Sequence, residues 1–203
     1  MYLSAYYFNS IGYKYISKYH KIIVQDFQRH VGLTADGIIG SKTYVAMDMN
    51  TPDVFCPEVF KPIKPYIQYT DKELAPLLSG RLRGLAKAFN DAAKANDFDV
   101  LHAIAHAALE SGWGTSYIAE KTNNLFGWAA YDSSPLESAK RFATLEECIA
   151  KWSEWFNKYY LEETGKYYNG NTEQGVNVKY ATSPIAGVNK AFIVAKLKKS
   201  LTK

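Results

Sequence analysis

The sequence predicts a mainly α protein of two unequal helical parts joined by a stiff connection. Three observations carry this. Apolar residues recur at helical spacing in both parts of the chain, as in Leu101, Ile104, Ala105, Ala108 and Leu109. Four of the seven prolines crowd one stretch: Pro52, Pro57, Pro62 and Pro65. The length, 203 residues, suits one ordinary domain with a small accessory unit. Proline fixes φ, removes a donor and stiffens extended chain. Residues 51–66 therefore read as a linker between a front unit, 1–50, and a larger domain, 67–203.

In the front unit Ile23, Phe27 and Val31 share one helical stripe with Val24 beside it, and Gly32 suits the helix stop. Asp36-Gly37 is a tight turn. Ser41 can cap a second helix bearing Tyr44, Val45 and Met47. Phe27-Gln28, Gly32-Leu33, Asp36-Gly37, Gly40 and Thr43 follow in an order that resembles the peptidoglycan-binding module of many wall hydrolases. The resemblance covers residues 20–47. The half-repeat that usually precedes it is not visible in the Tyr-rich residues 1–19.

Behind the linker, Leu82, Leu85, Ala86 and Phe89 form one stripe. Asp97 or Asp99 can cap the helix that follows. Thr144-Leu-Glu-Glu147 is a capping box. It opens an amphipathic helix with Leu145, Cys148, Ile149, Trp152, Phe156 and Tyr159 on its apolar side. A last helix is expected from Ala186 to Leu201. Stretches 112–143 and 160–185, rich in Gly, Asn, Ser and Tyr, read as loops or short hairpins. The closing segment carries Lys190, Lys196, Lys198, Lys199 and Lys203 with no acid after Glu173. These lysines read first as a solvated face, and second as a patch for an anionic polymer.

Hydrophobic residues make up 47% and charged residues 22%, which excludes a disordered or collagen-like chain. The formal charge of +4 suits an anionic partner without choosing one. The small excess and the lack of a recognition motif argue against nucleic acid. Cys56 and Cys148 make neither a disulfide framework nor a metal spacing. His102 and His106 stand four apart on one helix face, but the Glu of a zinc-protease helix is missing after the first. No metal and no cofactor are expected. No apolar run is long enough to span a bilayer.

One carboxylate stands out. Glu110 ends the run Ala103-Ile-Ala-His-Ala-Ala-Leu-Glu110, and Gly112 marks the stop. The negative end of a helix dipole disfavours another negative charge, and apolar surroundings act the same way. A proton donor near neutrality needs such a setting.

The motifs around it are ordered: Glu110-Ser-Gly-Trp-Gly-Thr-Ser116, Asn123-Asn-Leu-Phe-Gly-Trp128, Ala129-Ala-Tyr-Asp-Ser-Ser-Pro135 and Lys179-Tyr-Ala-Thr-Ser-Pro184. Together they resemble the glucosaminidases of glycoside hydrolase family 73, over roughly residues 70–184. The resemblance implies a lysozyme-like α+β catalytic domain that hydrolyses the β-1,4 bond after N-acetylglucosamine in peptidoglycan. It implies that Glu110 is the general acid, that Asp132 matches the second acid of one subgroup, and that Tyr180 matches a required tyrosine. Ser183 stands where Asp is usual, and the stretch after Pro184 lacks the familiar Tyr-Ala-x-Lys-Ile continuation.

Cleavage of a glycosidic bond needs a proton donor and a negative charge or internal nucleophile at the oxocarbenium-like centre. Asp132 could act as base on a water. Alternatively, the substrate's 2-acetamido group attacks, oriented by Asp132 or Tyr180. Trp113, Phe126, Trp128 and Tyr131 flank the carboxylates and could stack on sugar faces, with core packing an equal reading for Phe126. Asn123 and Asn124 offer donors and acceptors for N-acetyl groups. Glu120 and Glu137 are spare acids, read as surface charges.

The expected partner is the peptidoglycan glycan strand, met by a monomer. A start without a basic n-region or clean apolar segment reads as lacking a secretory signal. That points to an endolysin-like protein made in a host cytoplasm and acting on the wall after release, with a bacterial autolysin exported otherwise as the alternative. The rivals are a muramidase or lytic transglycosylase on the same polymer, and a non-catalytic wall binder.

Overall fold

The computed structural model describes residues 25, 28–29, 32–38, 42–43, 57–128, 135–181 and 186–202. Its longer part is built from α1 (Asp71–Leu74), α2 (Ala86–Ala95), α3 (Val100–Ser111), α4 (Tyr117–Thr122), α5 (Pro135–Ser138), α6 (Leu145–Phe156), α7 (Glu173–Tyr180) and α8 (Ala186–Leu201). Short 3-10 turns at Pro57–Phe60, Ala75–Leu77 and Gly80–Leu82 precede or join them, and a π turn over Asn157–Leu161 prolongs α6. The mainly α expectation stands. Of the β component, the described residues show one isolated antiparallel bridge, Pro62 to Thr172, and no strand.

Helix α3 is the central element. From Val100 to Ala108 every residue is buried, the mark of a helix enclosed on all sides. Helices α2 and α8 pack against it, and α6 packs against α2. Asp99 caps α3 by accepting the Leu101 N–H at 3.0 Å. Asp97 is spent differently: it sits in a turn at φ 53° and accepts the Tyr66 N–H at 3.1 Å. Gly112 ends α3 in the left-handed region, φ 57° and ψ 50°, where glycine carries no Cβ penalty.

Helix α6 begins as expected, with Thr144 Oγ1 accepting the Glu147 N–H at 3.1 Å. The Glu147 carboxylate reaches one residue further back, to the Ala143 N–H at 2.7 Å. Trp152 and Phe156 stack 4.5 Å apart, and Phe126 lies flat on Trp152 at 4.0 Å and 2°. Such pairs contribute about 1 kcal/mol each beyond their buried area. Cys148 is a free, buried thiol. Its sulfur accepts the Leu125 N–H at 3.4 Å, and burial pushes it up to about 12.

Two expectations need correction. Residues 57–66, read as linker, are part of the larger domain. Val59 and Ile63 are fully buried. Ile63 donates to the Asn171 carbonyl at 3.1 Å and accepts from the Asp99 N–H at 2.8 Å. Lys198 of α8 holds Glu58 and lies 3.5 Å from Asp99 Oδ2. The prolines punctuate a packed segment; they do not space two bodies there. Stretches 112–143 and 160–185 also contain helices. Ser116 caps α4 and Thr172 caps α7 with side-chain bonds to Ala119 N and Gly175 N. Short capped helices rich in Gly and Asn leave little periodicity to read.

In the front unit, buried Gln28 explains the motif. Its amide donates to Asp36 Oδ1, the Ile38 carbonyl and Thr43 Oγ1 at 2.8, 2.9 and 3.0 Å, and its oxygen accepts the Gly37 N–H at 2.8 Å. Gln28, Asp36, Gly37 and Thr43 thus clip the turn to the residues that follow. Phe27, Gly40 and Ser41 lie outside the described residues.

Candidate active site

Glu110 stands one residue before the end of α3, its side chain 28% exposed. The turn that follows is strained. Trp113, between Gly112 and Gly114, takes φ 60°, uncommon for a residue with a large side chain. A positive φ on a non-glycine residue costs of order 1 kcal/mol and tends to collect at working sites. The turn is pinned from outside: Trp113 O accepts the Arg81 N–H at 3.0 Å. Arg81 also binds the Ala119 carbonyl at 2.7 Å and Asn123 Oδ1 at 3.0 Å.

Beside Glu110 runs the Asn-Leu-Phe-Gly-Trp loop. A Cβ built on Gly127 would lie 4.0 Å from Glu110 Oε2. Asn124, almost fully buried, shapes this loop. It donates to the Trp128 carbonyl at 2.8 Å and accepts the N–H groups of Phe126 and Trp128 at 3.3 and 3.0 Å. Asn123 ends α4 at φ 55° and donates to the Phe142 and Ala143 carbonyls.

Asn124 is thus occupied by backbone, and Asn123 by backbone and Arg81, which corrects the expectation that they meet N-acetyl groups. Phe126 is 3% exposed with Trp152 over its face, so its ring is core. Trp113 and Trp128 remain part-exposed. Trp128 packs near Trp155 at 5.1 Å and carries Lys140 Nζ 3.6 Å from its ring centre. Tyr131 and Asp132 lie outside the described residues. Glu120 is exposed on α4.

Tyr180, the last residue of α7, accepts the Trp152 indole N–H at 3.1 Å. Burial pushes its phenol well above the ordinary value, and the charge of Glu110 acts in the same direction. The hydroxyl therefore keeps its proton. Glu110 and Tyr180, 70 residues apart in sequence numbering, sense each other electrostatically.

A buried polar group lies under this pair, and sequence reasoning missed it. His102 Nδ1 and His106 Nε2 meet the two oxygens of Glu173 at 2.7 and 3.1 Å, and all three side chains are fully buried. Burial would push the Glu173 carboxyl up. The two imidazoles outweigh this and hold it well below the usual carboxylate range. Burial pushes His106 down, as does the charge of Lys190, against the pull of Glu173. Burial favours the neutral form of His106, which then meets the carboxylate by donating its Nε2–H. Among the described residues, His102 Nε2 and His106 Nδ1 have no hydrogen-bond partner.

The setting of Glu110 also differs from the apolar one expected. Lys190 of α8 is fully buried, with Nζ 3.4 Å from Glu110 Oε1. Both Lys190 and Lys198 leave the solvated face that the sequence suggested. A signal existed for Lys190: it falls in register with Gly187, Ala191, Val194 and Leu197, the buried stripe of α8.

Residues 86–190 match the glucosaminidase family, described as mannosyl-glycoprotein endo-beta-N-acetylglucosaminidase. The chain belongs to the glucosaminidase family. Residues 1–47 match a family described as "Putative peptidoglycan binding domain". Among curated relatives, a "Putative endo-beta-N-acetylglucosaminidase" of Streptococcus pneumoniae is 30% identical over 203 residues, covering 96% of this chain and 30% of the relative. A beta-N-acetylglucosaminidase of Bacillus subtilis is 35% identical over 106 residues, covering 46% of this chain and 12% of the relative. The chain thus spans less than a third of the length of these relatives. Among solved structures, autolysin E of Staphylococcus aureus in complex with a muropeptide matches with a TM-score of 0.59. It is 21% identical, covering 88% of this chain and 90% of that one. A catalytic mutant of the same autolysin in complex with the disaccharide NAG-NAM has the same TM-score at 19% identity, with 88% and 90% covered. At these identities the likeness shows the fold, which is that of autolysin glucosaminidase domains.

Proposed function

We propose that this glucosaminidase hydrolyses the β-1,4 bond between N-acetylglucosamine and N-acetylmuramic acid in peptidoglycan. The observation that carries the reading is Glu110: a part-exposed carboxylate at the end of a fully enclosed helix, beside a protonated tyrosine and an open, glycine-lined loop. Membership of the family supports the reaction type. The match of residues 1–47 to a wall-binding family supports the polymer. Relatives bound to a muropeptide or to NAG-NAM support the same substrate class.

In this reading Glu110 gives its proton to the leaving glycosidic oxygen as the bond to the anomeric carbon breaks. Tyr180 offers the hydroxyl proton that Trp152 leaves free. Asp132 supplies the second negative charge; a water oxygen ends on the anomeric carbon and the water's proton restores Glu110. Trp113, Trp128 and Tyr131 are the rings assigned to the sugars. Residues 1–50 hold the chain on the wall.

The test is Glu110→Gln, which removes the proton donor and keeps the shape. Release of reducing N-acetylglucosamine ends from purified sacculi should fall about 10²–10⁴-fold, with the far-UV circular dichroism unchanged. Near-normal release would defeat the assignment. Asp132→Asn should also be severely impaired while still sedimenting with sacculi. Mass spectrometry of wild-type digests decides the bond, since 1,6-anhydromuramic ends would mean a transglycosylase.

A further inference from the structure

Lys190 is a buried cation beside Glu110. Its Nζ lies 3.4 Å from Glu110 Oε1 and 4.2 Å from the centre of the Tyr180 ring, and has no partner at hydrogen-bond geometry among the described residues. An under-paired buried ammonium is costly, so the fold must hold it there. Gly187 shows how. A Cβ at Gly187 would come 2.6 Å from the Glu173 carbonyl and 3.0 Å from Asn177 Cβ, and the Gly187 N–H binds Asn177 Oδ1 at 2.9 Å. Helix α8 is drawn against α7 at this point. Lys190 is three residues on, on the same face.

The groups that face Lys190 come from two other helices. From α3 come Glu110 and His106, and from α7 come the Tyr180 ring and, through His106, the anionic Glu173. Burial favours the neutral form of His106, so among the described residues the only charge in direct contact with the ammonium is the Glu110 carboxylate. Being fully buried, Lys190 does not meet a polymer outside; any effect on the reaction passes through the groups it touches, the Glu110 carboxylate and the Tyr180 ring. Resting on the reading of Glu110 as proton donor, we propose that Lys190 is its positioning residue. The buried ammonium fixes the carboxylate at the mouth of the cleft and favours the charge it acquires as its proton leaves.

The test compares Lys190→Met, which keeps the length and drops the charge, with Lys190→Arg, which keeps the charge. For a folded Lys190→Met, kcat should fall about tenfold or more with KM changed less than about twofold. The alkaline limb of its pH–rate profile should move to higher pH, because a cation no longer favours the ionised carboxylate. Lys190→Arg should keep the limb where the wild type has it. A folded Lys190→Met with wild-type kcat and limb overturns the proposal. So does one slowed equally at every pH with its limb in place.

A second measurement leaves Lys190 intact and decides the matter if neither variant folds. In the wild type the Lys190 Nζ nitrogen resonance should step at the pH where the Glu110 carboxyl carbon titrates, and Glu110→Gln should abolish that step. A Lys190 signal indifferent to Glu110→Gln overturns the proposal. An active Glu110→Gln would bring down the function assigned above. A dead Glu110→Gln beside a wild-type-like Lys190→Met would bring down only the role of Lys190.

Discussion

Trp152 hands its indole N–H to the hydroxyl oxygen of Tyr180 across 3.1 Å, joining the stacked core of α6 to the end of α7. The bond sets where the Tyr180 hydroxyl points. Burial, with the Glu110 charge, keeps its proton on.

Tyr180→Phe should therefore lower kcat at least about tenfold, with the fold retained at a thermal midpoint lowered by the unpaired Trp152 N–H. Trp152→Phe should give a smaller loss, since Tyr180 stays but its orientation loosens. Tyr180 ionisation should impose no loss of rate up to about pH 10, the ordinary phenol value. Steady-state rates across pH check all three statements. Equal, wild-type rates in both variants would remove Tyr180 from the chemistry.

Glu173 should make the domain acid-sensitive. Its carboxyl is held well below the usual carboxylate range in the folded protein by the two imidazoles. The unfolded chain therefore takes up the proton first as pH falls. The contribution to stability is complete above about 4.5 and is lost progressively below it. Glu173→Gln should cost about 3 kcal/mol at neutral pH, through a broken buried charged hydrogen-bond set. It should also flatten the acid branch of a plot of thermal midpoint against pH. An unchanged acid branch would count against this account.

Where the chain is cut should matter. Deleting residues 1–56 should leave a folded hydrolase, whereas deleting 1–66 should not be tolerated equally. The second cut removes Val59 and Ile63, each worth about 2 kcal/mol as fully buried side chains, together with the Glu58 partner of Lys198. Thermal midpoints of the two truncations provide the comparison; equal midpoints would make 57–66 a true linker.

Gln28→Ala should strip the front unit of its central clip while sparing catalysis. Retention on sacculi should fall, and turnover of soluble glycan fragments should stay within about twofold, because tethering acts through local concentration. A parallel loss on both substrates would mean that the front unit helps build the cleft.

The sequence made parts of this molecule legible because they are local. The Asp99 and Thr144 caps, the Gly112 stop, the stripe of α3 and the span of α8 all follow from spacing within a few residues. Glu110 was legible for the same reason. The Glu173 pairing was not: its imidazoles lie 71 and 67 residues away, and nothing in periodicity links them. Amides and rings near a carboxylate suit a sugar, so residue type places Asn123 and Asn124 there and leaves Phe126 equally between sugar and core. Burial and backbone bonds decide otherwise, and residue type alone does not reveal burial. Lys190 shows the opposite error, a charge read as solvated although the helical register placed it inside.

Cys148 has a practical consequence. Wedged between α6 and the Leu125 N–H, with its thiol pushed up to about 12, it offers almost no thiolate at neutral pH, and oxidants and alkylating reagents act on thiolates. The sulfur serves as hydrocarbon-like filling, so this position is indifferent to whether its surroundings are reducing or oxidising. In a Cys56→Ser background it becomes an intrinsic clock. The rate at which a thiol reagent labels Cys148 should report how often the loop carrying Leu125 lifts off α6.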